Sequence, residues 1–182
     1  RIKRAFAGKI VLILKNTLIF VSAYELHPFW SNRSVLTRSL INFKNKPRFL
    51  ESYAKGMQVI GYEDPSYFRI HQLIWAASVA LDIDGDWVEL GTGKGMSMSS
   101  VLKYHQEPWN KGSKKLWLVD TFLPYQVNPK TGIQRKSKNR HKWYCDDIGK
   151  VKEHFKEFNN VQFLQGLLPG CLDQLKVDKI SF

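Results

Sequence analysis

An α/β fold built around a parallel central sheet is predicted by three observations. Residues 86–97 read as a short apolar strand, a glycine-rich turn and a helix start; residues 115–120 read as a second apolar strand closing on an acid, Asp120; and strand and helix patterns keep alternating as far as a third apolar run at 161–164. Such alternation implies parallel strands joined by right-handed crossovers, with any ligand lying beyond the carboxyl ends of the strands.

Taken in order, residues 1–64 read as a helical extension or cap and 65–182 as the sheet domain. The apolar run 10–24 is interrupted by Lys15, Asn16 and Thr17. It is shorter than the roughly 20 apolar residues that span a bilayer, so a packed helix is expected, with an interfacial or partner-binding helix as the alternative and no transmembrane segment. No small-residue cleavage site follows it, as a signal peptide requires. Between 31 and 57, Arg33, Arg38, Lys44, Lys46, Arg48 and Lys55 are spread among apolar residues, which suggests short helices broken by Pro47. These helices would form a cap or the interface of a homo-oligomer.

Pro65 and Ser66 offer a helix start, and Tyr67, Ile70, Ile74, Ala77 and Leu81 then recur at helical spacing. This helix is expected to lie against the sheet and help close a pocket. Strand one follows at 87–90. Beyond Gly95 a helix should run to about His105, with 106–114 a loop around Pro108 and Gly112. After strand two, 124–142 form a long polar insertion. Val151, His154, Phe155 and Phe158 then mark an amphipathic helix, and the final residues, 179–182, read as the beginning of a fourth strand.

The chemistry concentrates in Glu89-Leu90-Gly91-Thr92-Gly93-Lys94-Gly95-Met96-Ser97. Glycines let the backbone turn sharply and approach a ligand that side chains would exclude, so the stretch reads as a nucleotide-cofactor cradle. A dinucleotide fingerprint is G-x-G-x-x-G; here the third glycine comes one residue early. A dinucleotide also presents a pyrophosphate to the helix start, whereas Glu89 suits a ligand with a cationic amino-acid end. That ligand is S-adenosylmethionine. Asp120, 25 residues after Gly95, can accept both hydroxyls of its ribose. Plainer readings stay open: a tight strand-to-helix connection for the glycines, a helix cap for Asp120, and a solvated side chain for Lys94.

The order and spacing of these pieces resemble a class I S-adenosylmethionine-dependent methyltransferase, and most closely the macrocin O-methyltransferase family. The resemblance covers roughly residues 65 to 182. It rests on Ile83-Asp84-Gly85-Asp86, on Trp87-Val88-Glu89-Leu90-Gly91, on Asp120-Thr121-Phe122, and on the run from Val161 to Gly166 followed by Leu168-Pro169. The family usually carries a bulkier G-V-W-R-G turn, and a glycine soon after the D-S/T-F step where this chain has Leu123-Pro124-Tyr125.

The resemblance implies a Rossmann-like fold in which Glu89, Gly91, Thr92, Gly93, Gly95, Met96, Ser97, Asp120, Thr121 and Phe122 bind the cofactor. Gln165, Gly166 and Leu167 would meet its adenine, although a strand ending in Gln-Gly is also an ordinary turn. It further implies that the chain is a fragment lacking the second half of the sheet. Acids binding a divalent metal such as Mg2+ would then lie beyond Phe182.

Composition bounds the function classes. The chain has 182 residues, 43% of them hydrophobic, with six tryptophans, enough for a packed core and against disorder. Cys145 and Cys171 form no metal-ligand pair, which favours a reduced, cytoplasmic setting over a disulfide scaffold. A net charge of +12 raises nucleic acid as a partner, through Lys130, Arg135, Lys136, Lys138, Arg140, His141 and Lys142 beside Trp143 and Tyr144. A polar lid over the site, or simple solvation, would use the same residues. The five histidines, His27, His71, His105, His141 and His154, show no paired acid or metal-ligand pattern, and no catalytic residue is assigned. The expected activity is methyl transfer to the hydroxyl of a small molecule such as a sugar or secondary metabolite. The alternatives are an RNA methyltransferase using the basic insertion and a non-catalytic Rossmann-like binding module.

Overall fold

The structure, a computed structural model, describes residues 42–123, 126–127, 131, 134–135, 144–145 and 147–182. The chain divides into two compact units, 1–45 and 46–182. Of the first, only the 3-10 turn Asn42–Asn45 is described. The apolar run 10–24, Arg33 and Arg38, and the lysines and arginines from 136 to 142 therefore lie outside the described residues.

Helix α1 (Pro47–Ile60) opens the second unit. Pro47 starts this helix where the sequence suggested a break, because a first-turn N–H has no intrahelical partner to lose. The helix ends on Gly61, left-handed at φ 77°, whose N–H reaches Met57 O at 2.9 Å. Phe49, Tyr53, Met57 and Ile60 form its buried stripe. Gly56 lets α1 close on α3 (Met96–Tyr104): a Cβ there would lie 3.0 Å from Met96 O and run into the Ser100 hydroxyl. Helix α2 (Tyr67–Ala80) also packs on α3, burying Ile70, Ile74 and Ala77 as the periodicity predicts, while Ala80 is buried in place of Leu81, and Tyr67 and Leu81 are half-buried. Tyr67 stacks on Tyr53 with ring centroids 4.1 Å apart.

Residues 106–111 correct the expected loop. They form a short helix, α4 (Gln106–Lys111). Pro108 sits in its first turn, where no intrahelical bond is sacrificed. Trp109 anchors the helix: it is 2% exposed, packs at a tilt against Trp87 with ring centroids 4.7 Å apart, and donates from Nε1 to Asn159 O at 2.8 Å.

Strands β1 (Trp87–Leu90), β2 (Leu116–Asp120) and the last strand of the described chain, Val161–Gln165, make a three-stranded parallel sheet with β2 in the middle. On the other side of β1, Asp86 bridges Ile180 in parallel, and the Val88 N–H donates to Phe182 O at 2.8 Å. The order of an open α/β sheet, compatible with a Rossmann-like fold, follows from these pairings. Trp87, Leu116 and Leu118 are fully buried, while Val119 packs with Leu164 and Cys171 beneath Val88, Trp117, Leu168 and Leu175. Both faces are covered, as a parallel sheet requires.

Within the insertion, β3 (Gln126–Val127) and β4 (Gln134–Arg135) form a two-residue antiparallel ladder, a feature too short to leave a period in the sequence. Helix α5 (Ile148–Phe155) follows, capped by Asp147, whose side chain accepts the Gly149 N–H at 2.7 Å. The strand Val161–Gln165 is β5. Among the described residues, no helix is long and apolar enough to cross a membrane.

Candidate functional site

At the carboxyl ends of β1 and β2 the backbone must leave the sheet and enter α3. Gly91, Gly93 and Gly95 make that turn at φ 83°, 56° and 88°, a region that side chains resist. Gly91 faces open space, and a Cβ there would touch nothing within 4 Å. Gly95 is constrained by packing, since a Cβ would stand 2.5 Å from Phe155 Cε2 of α5.

The turn walls an open cleft of about 530 Å³, lined by Glu89, Gly91, Thr92, Gly93, Met96, Ser97 and Asp120 of the expected residues. Asp120 organises this wall. Its Oδ2 accepts the Gly93 N–H at 2.7 Å, and its Oδ1 accepts the Phe122 N–H at 2.9 Å and the Thr121 hydroxyl at 3.3 Å. The Phe122 bond explains that residue's φ of 49°: the carboxylate holds a tight Asx turn while the ring is buried, 6.4 Å from Phe163.

Glu89 is different. Its Oε2 is sealed from solvent and has no hydrogen-bond partner, and the Thr92 Oγ1 beside the same cleft is equally sealed and unpartnered. Burial pushes the Glu89 carboxyl up to about 8. Thr92 and the Arg69 guanidinium oppose that push and Asp120 adds to it; the Thr92 hydroxyl is near enough to favour the ionised form, yet makes no bond of proper geometry. A buried polar atom without a partner costs free energy, so such a pair at a cleft wall is poised for a ligand.

Three lining residues have no local sequence signal: Ile60 from the end of α1, Arg69 from the first turn of α2, and Tyr144 beyond the insertion. Arg69 could have been anticipated from topology. A helix preceding a parallel strand runs opposite to it, which brings its first turn to the strand's carboxyl end. Lys94 also lines the cleft and donates from Nζ to Ile60 O at 3.4 Å, tying the turn to α1.

Thr121, Phe122, Gln165, Gly166 and Leu167 do not line the cleft. They flank it through the Gly166 N–H to Asp120 O bond of 2.9 Å and the Gln165 Nε2 to Thr121 O bond of 3.0 Å. A Cβ on Gly166 would collide with Cys171 Cβ, so that glycine serves packing. His71, His105 and His154 lie away from the cleft, and burial lowers the pKa of each. His105 Nε2 faces Ile74 O at 3.1 Å. His27 and His141 fall outside the described residues. Cys145 and Cys171 are buried thiols not joined in a disulfide, and among the described residues no three His, Cys, Asp or Glu side chains are grouped to hold a metal.

A second polar cleft, of about 460 Å³, occupies the opposite, amino ends of the strands between Asp84, Asp86, Lys114, Lys115, Lys176 and Lys179. In comparisons with known proteins, no family model matches this chain and no curated protein matches it in sequence.

Proposed function

We propose that this chain binds S-adenosylmethionine and serves methyl transfer to the hydroxyl oxygen of a small molecule, such as a sugar or secondary metabolite. The observation that carries the reading is the Glu89 carboxyl, which holds a sealed, unpartnered oxygen at the wall of a cleft that Asp120 also lines. Glu89 suits the ammonium of an amino-acid end, and Arg69 in the same cleft suits its carboxylate. The arginine favours S-adenosylmethionine over its decarboxylated relative, and the glutamate disfavours the pyrophosphate of a dinucleotide.

Asp120 retains capacity for a ribose. A carboxylate offers about four lone-pair sites, and three are engaged here. The Thr121 hydroxyl bond is the longest of the three, and its rotation frees a second site for the other ribose hydroxyl. Bound there, the cofactor would supply an electrophilic methyl group; the protein's part is to orient it and to exclude water from the reacting end. No residue of the described chain is assigned as the base that removes the acceptor proton. A cytoplasmic setting belongs to the same proposal.

Calorimetric titration with S-adenosylmethionine, S-adenosylhomocysteine and NAD tests the reading. Binding of the two adenosyl sulfur compounds and not NAD is expected. A folded protein that binds neither would leave a non-catalytic module, and steeply salt-dependent RNA binding would move the acceptor from small molecules to RNA.

A further inference from the structure

We infer that cofactor binding in this cleft is coupled to proton release: the free protein holds Glu89 as the neutral acid, and the ligand's ammonium draws its proton off into solvent. The inference rests on the S-adenosyl reading of the cleft and adds a linkage that the reading does not require. The step balances simply. The O–H bond of the Glu89 carboxyl breaks, the proton goes to buffer, and the resulting carboxylate pairs with an ammonium that stays protonated.

The geometry is that of an acid whose charge is poorly stabilised. Oε2 is out of contact with water and lacks any donor, and the neighbouring Thr92 Oγ1 lacks a partner too. Every charged or titratable group that faces the cleft is known among the described residues: Arg69 from α2, Lys94 from the glycine turn, Asp120 from β2 and Tyr144 after the insertion. From α1 and α3 come only Ile60, Met96 and Ser97, none of them ionisable. Lys94 is turned to Ile60 O, and Asp120 works against Glu89 ionising. Burial dominates and sets the carboxyl at about 8, although Thr92 and Arg69 work for ionisation. An ammonium bound beside Glu89 in the cleft adds a donor and a further positive charge at once, which draws the carboxyl back toward the ordinary acidic range.

Titration calorimetry with S-adenosylhomocysteine at pH 7, in buffers of different ionisation enthalpy, reads the protons exchanged. About one proton released per ligand is expected from the wild-type protein, and about none from Glu89→Gln, which should bind roughly tenfold more weakly. The wild-type affinity alone gives a second readout. It should rise about tenfold per pH unit from 6 to 7.5 and level off above 8. Binding without proton exchange, a pH-independent affinity, or equal release from Glu89→Gln would each overturn the inference while leaving the cofactor reading intact. A folded protein that fails to bind the ligand at any pH would overturn both.

Discussion

The two ends of the sheet carry clefts of similar size, about 530 Å³ at the carboxyl ends and about 460 Å³ at the amino ends, yet their chemistry differs. At the amino end several of the groups satisfy one another. Lys179 pairs with Asp84 at 2.6 Å, Lys114 donates to the carbonyls of Ile83 and Gly85, and Asp86 Oδ1 accepts the Lys115 N–H at 2.8 Å. At the carboxyl end Glu89 and Thr92 are left with sealed, unpartnered oxygens. Volume does not distinguish the two clefts; the sealed, unpartnered oxygens at the carboxyl end do. Sealed, unpartnered atoms also occur in the core, at Trp87 Nε1, Ser99 Oγ and Trp117 Nε1, so it is their place at a cleft wall that makes the Glu89 and Thr92 oxygens informative.

The largest test of this contrast is Asp120→Ala. It removes the acceptor for the Gly93 and Phe122 N–H groups together with the proposed ribose contact. Bonds to a charged acceptor are each worth about 1.5–3 kcal/mol, so S-adenosylhomocysteine affinity should fall about 100-fold or more, with a lower Tm as well. Retention of wild-type affinity would mean that Asp120 shapes the turn and touches no ligand.

Next comes Gly95→Ala. The φ of 88° and the approach to Phe155 Cε2 oppose a Cβ independently, and a loss of about 3 kcal/mol in urea unfolding is expected. Gly91→Ala shares the backbone strain but meets no neighbour, so it should cost less stability while still narrowing the cleft. Equal losses at the two glycines would show that strain alone governs the turn.

Much of this architecture is legible in the chain. Trp87, Val88 and Leu90 announce a strand, although only Trp87 is fully buried and Leu90 is 53% exposed; Asp120 ends the next, and the stripe of Ile70, Ile74 and Ala77 fixes α2. Each signal is local and periodic. What stays hidden is non-local or too brief for a period. Ile60 and Tyr144 reach the cleft only through tertiary packing, and β3 and β4 pair just two residues each. Pro108 misleads because a proline signals a break only beyond the first turn of a helix, and α4 begins two residues before it. The unpartnered state of Glu89 is likewise invisible in sequence: the residue type is plain, but its isolation depends on what the fold brings near.

Glu89→Gln probes the same isolation through stability. Glu89 has a folded pKa raised from 4.5 to about 8, so its favourable contribution is full below pH 4.5 and is lost as pH rises through 8. Replacing the acid with a neutral isostere should therefore stabilise the ligand-free protein by roughly 2–4 kcal/mol at pH 8 and by little at pH 4.5. Thermal melts across that range check the sign. A variant that gains stability while losing ligand affinity is the pattern of a site held in readiness at the fold's expense.

The smallest effect is expected at the opposite cleft, from Asp84→Asn. Asp84 and Lys179 are well exposed, with relative side-chain accessibilities of 80% and 69%. The lysine's hydrogen bond and charge hold the Asp84 carboxyl below its ordinary range. Whatever stability the pair lends is thus present above the ordinary carboxylate value and lost as pH falls through the lowered one. Exposed pairs of this kind are screened by water and salt and contribute little. The substitution should leave S-adenosylhomocysteine affinity unchanged and move Tm less than any other variant proposed, with even that shift vanishing at high salt. A loss of affinity on the scale of Asp120→Ala would break the comparison between the two ends, because it would mean that the satisfied cleft at the amino ends governs the open one across the sheet.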